Sequence, residues 1–140
     1  MNKNVNLNKS VIHLKTCQEY IKEINEDNNE KLIELDDPNE LNKLAECYFS
    51  GNDVEKDYNK AFGLYEKGAK LGNEYGMYNL GKCYRRGLGV EQNYNKAIEL
   101  YTKAMGLGVE EAVWELETLE EELKNIRKYS EINELHRCIK

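Results

Sequence analysis

The sequence is short of several residue types, and each shortage excludes a class of protein. One Pro and ten Gly among 140 residues exclude collagen-like and proline-rich linker chains. Four Cys are too few for a small domain held together by disulfides. No run approaches the roughly 18 apolar residues of a membrane-spanning helix. What remains is the composition of a single globular domain with a modest core.

Basic charge is also scarce. Twenty Lys and Arg stand against 26 Asp and Glu, so the net charge is −6. A nucleic-acid-binding protein needs a basic face to displace counterions from phosphates, and we therefore expect no nucleic-acid partner. The first residues include Lys3 but no apolar stretch typical of a secretory signal. We expect an acidic cytoplasmic protein.

An internal repeat organises the chain. A shift of 36 residues places 44–74 on 80–110 without a gap, and 16 of the 31 aligned positions are identical. All ten Gly lie between Gly51 and Gly108, so the composition changes at both ends of the repeated block. A period of this length indicates stacked supersecondary units.

Within each unit the apolar residues follow a helical period. The first helices present Leu41, Leu44, Ala45 and Tyr48, or Met77, Leu80, Gly81 and Tyr84. The second helices, over 58–70 and 94–105, present Ala61, Leu64, Tyr65 and Ala69, or Ala97, Leu100, Tyr101 and Met105. Asp37 before Pro38 predicts a helix start, and Gly51, Gly72, Gly87 and Gly108 predict helix ends. The pattern predicts an all-α solenoid without strands.

The second unit carries the pattern Leu80-Gly81-x-x-Tyr84-x-x-Gly87-x-Gly89-Val90-x-x-x-Tyr94-x-Lys96-Ala97-x-x-x-Tyr101-x-x-Ala104. This pattern resembles the Sel1-like repeat, a relative of the tetratricopeptide repeat. The resemblance covers residues 40–108 in two units and the first turn of a third. The first unit departs from it at Asn52-Asp53, where Gly is usual. The resemblance implies an α-solenoid scaffold for protein–protein interactions, with no cofactor.

We predict three regions: an N-terminal helical cap over 1–37, two repeats over about 38–72 and 73–108, and a partial third repeat with a capping helix over 109–140. In the N-terminal cap, one helix face carries Leu14, Cys17, Ile21 and Ile24. Near the C-terminus a narrow stripe comprises Ala112, Leu116, Leu119, Leu123 and Ile126, followed by Ile132, Leu135 and Ile139. This stripe fits either a packed capping helix in a monomer or a helix that dimerises.

The sequence offers no catalytic, metal or cofactor site. Cys47 and Cys83 occupy equivalent points on stacked helices, farther apart than the roughly 7 Å that a disulfide allows, so we expect all four thiols to be free. Incomplete sets of zinc ligands occur at His13 and Cys17, and at His136 and Cys138. No nucleophile–base pair is present, and we expect a protein that is not an enzyme.

In tetratricopeptide relatives, non-core positions of the first helices line a ligand groove. The corresponding candidate partner-binding residues here are Asn42, Phe49, Tyr75, Tyr78, Lys82, Arg85, Arg86 and Trp114. Three cations beside aromatic rings suit the carboxylates of an acidic peptide segment. The alternative is that these cations only neutralise neighbouring glutamates such as Glu110, Glu111 and Glu115.

Two functions remain open from the sequence. The first is an adaptor that binds a peptide segment of a partner protein in the groove. The second is a stoichiometric inhibitor or immunity-type protein that masks the active site of its partner. The cations of the groove favour the adaptor, whereas the glutamates around Glu117 and Glu120–Glu122 favour masking of a basic partner.

Overall fold

The computed structural model describes residues 15–26 and 35–139. These ranges contain six α-helices and no β-strand: α1 (Cys17–Glu26), α2 (Pro38–Ser50), α3 (Tyr58–Lys70), α4 (Glu74–Arg86), α5 (Tyr94–Gly106) and α6 (Glu110–Ile139). Helices α2 and α3 form one helical hairpin, and α4 and α5 form a second that stacks on the first through α3 and α4. The start of α6 packs on α5 in the same manner. The predicted all-α solenoid is confirmed.

The helices begin and end where the sequence predicts. The carboxylate of Asp37 accepts two backbone N–H bonds, at 2.8 and 3.2 Å, and Pro38 is the first residue of α2. Gly51 and Gly87 end the first helices with φ of 70° and 69°, a left-handed conformation that satisfies the last carbonyls. The next three helices are capped by Asp57, Asn73 and Asn93.

The apolar faces predicted for the two repeats form the core, with one exception. The repeat equivalents Tyr65 and Tyr101 are the largest fully buried side chains. Met105, predicted to be a core residue, is instead 41% exposed. The equivalent residue of the first unit is Ala69, which lines a cleft together with Leu100 of α5, the second helix of the following unit. No second helix follows α6 within the described residues, so nothing covers Met105 in the same way.

A disulfide joins Cys17, at the start of α1, to Cys47, near the end of α2, with the Cα atoms 5.7 Å apart. The expectation of four free thiols was therefore wrong. Of the four, Cys83 is free and buried, and Cys138 is free and exposed. The repeat register compares Cys47 with Cys83 but carries no information about Cys17, because α1 lies outside the repeat.

The N-terminal cap packs on the first unit. Tyr20 and Ile24 of α1 are buried in the same cluster as Leu44 and Tyr48 of α2. Helix α1 therefore covers an apolar face that would otherwise be exposed at the end of the solenoid. Of the residues that the sequence placed in this region, Leu14 and His13 lie outside the described part of the chain.

Helix α6 runs without a break but changes its surroundings half-way along. Ala112 and Leu119 are fully buried against α5, and Leu116 and Leu123 pack on the same cluster. Every residue from 124 to 139 is exposed, including Ile126 of the predicted stripe. The first part of α6 packs on the second unit, whereas the rest leaves its apolar side chains exposed. None of the six described helices has the length and apolar character needed to cross a membrane.

Candidate interaction surface

The candidate residues lie on α2, α4 and the start of α6, which are the first helices of successive units. A chain of side-chain amides links α2 to α4. Asn79 donates from Nδ2 to Oδ1 of Asn42 at 3.1 Å, and Asn42 donates in turn to Glu46 at 3.3 Å. The side-chain amide of Asn42 is thus held by two hydrogen bonds, one of which joins α2 to α4.

Three of the predicted residues come together at the centre of this surface. The ammonium Nζ of Lys82 lies 5.7 Å from the ring centroid of Phe49 and 5.4 Å from that of Tyr78. Phe49 is fixed by edge-on contacts with Tyr58 and Tyr65. Among the described residues, no carboxylate forms an ion pair with Lys82, whose charge is met only by aromatic faces.

Arg85 does not belong to the exposed part of the surface. Its side chain is 10% exposed and donates to Glu115, with a second bond from Nη2 to Oε1 of Glu122 at 2.7 Å. Of the two uses considered from the sequence, the structure therefore supports neutralisation of neighbouring glutamates for Arg85. The reason is positional: Arg85 occupies the repeat position of Phe49, which also points into its junction.

The pKa directions follow from this buried pair. Burial alone would lower the pKa of Arg85, but the hydrogen bond to Glu122 and the charges of Glu122 and Glu115 outweigh it and raise the pKa. Burial, together with the carboxylate of Glu115, raises the pKa of Tyr78 and of Tyr101. The guanidinium of Arg85 and the phenols of Tyr78 and Tyr101 therefore keep their ordinary charge states at neutral pH. The pair therefore acts as a fixed clamp between α4 and α6.

The remaining candidates lie at the edges. Tyr75 is 46% exposed, Trp114 is 65% exposed, and Arg86 is exposed at the end of α4. Neither a ring contact nor an ion pair joins these three to Lys82 within the described ranges. They are available to a partner but do not form a single preassembled pocket.

A cleft of about 340 Å³, which the sequence analysis did not find, lies on the other side of the repeats. Its floor is apolar and includes Met77, Leu80 and Leu100, and charged residues of α3 and α5 form its rim. Lys96 lies 5.1 Å from the ring of Tyr84, as its equivalent Lys60 lies 5.2 Å from that of Tyr48. The identical Lys and Tyr in both units were the available signal for this surface.

The described ranges 15–26 and 35–139 contain no group of three His, Cys, Asp or Glu side chains placed to hold a metal ion. Cys17, considered with His13, is consumed by the disulfide. Burial raises the pKa of the Cys83 thiol to about 11, which disfavours the nucleophilic thiolate. The buried thiol of Cys83 is therefore a poor nucleophile.

The sequence profile of the Sel1 repeat matches residues 41–73 and 74–109, the two helical hairpins described above. A solved structure of Helicobacter pylori cysteine rich protein B is 31% identical over 69% of this chain and 77% of its own, with a TM-score of 0.55. This chain belongs to the Sel1-repeat family. Sel1-repeat proteins generally mediate protein–protein interactions and are generally not enzymes.

Two other solved structures show the same likeness. A Sel1 repeat protein from Oxalobacter formigenes is 34% identical, with a TM-score of 0.56, over 58% of this chain and 61% of its own. A protective antigen of uropathogenic Escherichia coli strains, described as displaying an SLR fold, is 30% identical, with a TM-score of 0.60. That alignment covers 66% of this chain and only 20% of the antigen. The comparison with curated proteins finds no match.

Proposed function

We propose that the protein is a non-enzymatic adaptor that binds an acidic peptide segment of a partner protein on the surface of α2 and α4. The observation that carries this proposal is the position of the Lys82 ammonium between the rings of Phe49 and Tyr78. Among the described residues, no carboxylate forms an ion pair with it. Arg86 adds a second cation one helical turn away. A carboxylate arriving from a partner would find both charges available.

Aromatic side chains supply the second part of the recognition. Tyr75 and Trp114 flank the cations with exposed rings, and such rings bind apolar or aromatic side chains of a peptide at low entropic cost. The buried Arg85–Glu115 pair beneath them holds α4 and α6 in register. The peptide therefore combines Asp or Glu with one or more large apolar residues.

The test is selection of peptides from a random library displayed on phage. The wild-type protein is expected to enrich sequences with Asp and Glu, and the variant Lys82→Ala/Arg86→Ala is expected to lose that enrichment. The matched control is Lys60→Ala/Lys96→Ala, which removes the same charge and two similar cation–ring contacts elsewhere. Binding of a selected peptide should weaken at least tenfold, about 1.4 kcal/mol, in the first variant alone.

Arg85→Ala is not a suitable test of binding, because it removes the clamp between α4 and α6. Selection without acidic enrichment, or equal selection by both double variants, would contradict the adaptor proposal. The inhibitor or immunity-type role would then be the better proposal. The observation that favours it is the row of exposed glutamates on α6, which suits a basic partner.

The proposal also includes the cellular compartment in which the protein acts. Composition led to the expectation of a cytoplasmic protein, but the Cys17–Cys47 disulfide favours an oxidising compartment, because cytosolic thiols are kept reduced. Trapping of free thiols by alkylation in the native host distinguishes the two locations. Two alkylated Cys are expected in an oxidising compartment, and four in the cytoplasm.

A further inference from the structure

Charge is segregated along α6 in the same place where its packing changes. The first half of the helix carries no Lys or Arg and seven glutamates: Glu110, Glu111, Glu115, Glu117, Glu120, Glu121 and Glu122. The exposed half from 124 to 139 carries two glutamates and the cations Lys124, Arg127, Lys128 and Arg137. One helix therefore has an acidic end and a basic end.

Four exposed apolar residues of α6, Trp114, Ile132, Leu135 and Ile139, lie on one face of the helix, which is turned away from α5. With 3.6 residues per turn, Ile132 follows Trp114 by about five turns and Ile139 follows it by about seven. Leu135 lies beside them, and the three are 38%, 80% and 62% exposed, in the order Ile132, Ile139, Leu135. Leu119, which packs on α5, points about 140° away from Trp114 on the same reckoning. The face of α6 that carries apolar side chains at both of its ends is therefore exposed.

Charged residues occupy the middle of this free face. Glu121 follows Trp114 by about two turns, and Lys128 follows it by about four. Both are exposed, and among the described residues Glu121 forms an ion pair only with Lys124 of its own chain, at 4.0 Å. The order along the face is apolar, acidic, basic, apolar.

We propose that this face of α6 pairs with the same face of a second copy of the chain, antiparallel and related by a two-fold axis near residues 124 and 125. When Trp114 lies opposite Leu135 of the second copy, Glu121 lies opposite Lys128 of that copy. The symmetry repeats both contacts at the other end. The acidic half of each helix then faces the basic half of the other.

The alternative parallel arrangement is electrostatically unfavourable. It would set the glutamate-rich halves against each other, and like charges at an interface cost several kcal/mol. The antiparallel pair also avoids a clash between the two solenoids, since α5 packs on the opposite side of α6. In addition, pairing would cover a helical segment of 16 exposed residues, a length that is marginal without tertiary contacts.

The dimer and the peptide surface proposed above share one residue, Trp114. The peptide surface of Lys82 and Arg86 remains open in the dimer. Loss of self-association with peptide selection intact, or the reverse, therefore separates the two proposals.

The test uses the full chain with Cys138→Ser, which prevents an adventitious intermolecular disulfide at that exposed thiol. Sedimentation equilibrium is expected to give a dimer with a Kd below about 100 μM, a free energy of about −5.5 kcal/mol. Glu121→Lys and Lys128→Glu should each weaken the dimer at least tenfold, since each change creates two like-charge contacts. The two changes in one chain should restore it. Glu91→Lys, on an exposed loop, is the control with the same change in charge as Glu121→Lys.

The same reasoning predicts that the two single variants, when mixed, form a heterodimer, because both ionic contacts are then restored. Cross-linking checks the orientation. In the Cys138→Ser background, Asn125→Cys lies at the two-fold axis and is expected to form an intermolecular disulfide. Ile132→Cys is not expected to form one, because the two copies of residue 132 are about 22 Å apart along the helices.

Three results would overturn the proposal. The first is a monomer at all concentrations up to about 1 mM, where even a free energy of −4.1 kcal/mol would give dimer. The second is a dimer that neither single charge reversal weakens more than Glu91→Lys does. The third is equal cross-linking at residues 125 and 132, which would indicate parallel helices. Circular dichroism of each variant confirms that the helices are retained.

Discussion

The two junctions of the solenoid place different chemistry at the same repeat positions. Between the first and second units, Asn79 donates to Asn42 at 3.1 Å. Between the second and third, the equivalent pair is Tyr78, which donates to Glu115 at 3.5 Å, and Glu115 is also bound to Arg85. One junction is neutral and the other ionic, yet α4 packs on α3 much as α6 packs on α5. The repeat backbone sets the stacking, and the side chains at these positions are free to vary.

The loops that follow the first helices teach the same lesson. Gly89 and its equivalent Asp53 both have a left-handed backbone, with φ of 73° and 59°. A Cβ on Gly89 would lie 2.3 Å from the carbonyl oxygen of Tyr58, whereas the side chain of Asp53 accepts a bond from Gln18 of α1 at 3.4 Å. Glycine is thus required where a preceding unit lies behind the loop. The first unit has no preceding repeat, which explains its departure from the Sel1 pattern.

The largest effect is expected from breaking the ionic junction. Glu115→Ala should lower the free energy of unfolding by about 3–5 kcal/mol, because Arg85 would stay buried with part of its charge uncompensated. Asn79→Ala, at the equivalent position of the neutral junction, should cost about 1 kcal/mol. Urea unfolding followed by circular dichroism measures both. Equal losses would show that the two junctions are energetically alike.

The equivalent cysteines give the second comparison. Cys17→Ser should lower the free energy of unfolding by about 3–4 kcal/mol, since the bond to Cys47 closes a loop with a sequence separation of 30. Cys83→Ala should cost less, about 1–2 kcal/mol, because it removes one buried thiol.

Thiol titration of the wild-type protein provides the independent check. In denaturant without reductant, two thiols should react. In the native state Cys138 should react first, because burial raises the pKa of Cys83 to about 11. Four reactive thiols in denaturant would contradict the disulfide.

Exchange of the loop residues tests the requirement for glycine. Gly89→Asp should cost about 2–4 kcal/mol, the sum of left-handed strain and a backbone clash that no rotamer relieves. Asp53→Gly should change the free energy of unfolding by less than about 1 kcal/mol, because relief of strain offsets the added chain entropy. Equal changes in the free energy of unfolding for the two variants would mean that the preceding unit does not constrain the loop.

The smallest effects are expected at the helix crossings. Gly81→Ala should cost about 1–3 kcal/mol, because the new Cβ would lie 2.8 Å from the ring of Tyr101. At the equivalent position, Ala45→Gly should cost about 1–2 kcal/mol through lower helix propensity and the loss of a buried methyl group. Thermal unfolding of the two variants distinguishes the crossings, and a stabilising Gly81→Ala would show that Tyr101 moves aside freely.

Much of the fold followed from the sequence because the relevant forces are local. The caps at Asp37, Gly51 and Gly87 satisfy backbone groups within a few residues of themselves. The apolar spacing of three and four residues marks one face of each helix, and the 36-residue period states that the faces stack. The solenoid could therefore be predicted from the sequence alone, and the resemblance of the repeat pattern indicated the family.

The surface was predicted less completely. The repeat register placed Phe49, Tyr78 and Lys82 on one surface of α2 and α4, and the structure brings the Lys82 ammonium close to both rings. The register could not show that Arg85 turns inward, since that depends on Glu115 and Glu122 of another helix. A helical wheel gives the direction in which a side chain points but not which group of another helix it contacts.

By itself, then, the sequence determined the helices, their ends and their register, since each depends on contacts within a few turns or on a period repeated along the chain. The resemblance of its repeat pattern indicated the Sel1-repeat family. The tertiary structure alone decided the bond between Cys17 and Cys47, the burial of Arg85, the exposure of Met105 and the uncovered half of α6. Each of these depends on which residues of another unit, or of a helix outside the repeat, lie close enough in space to contact the residue concerned. Periodicity fixes angles around a helix, whereas such distances are fixed only when the helices pack.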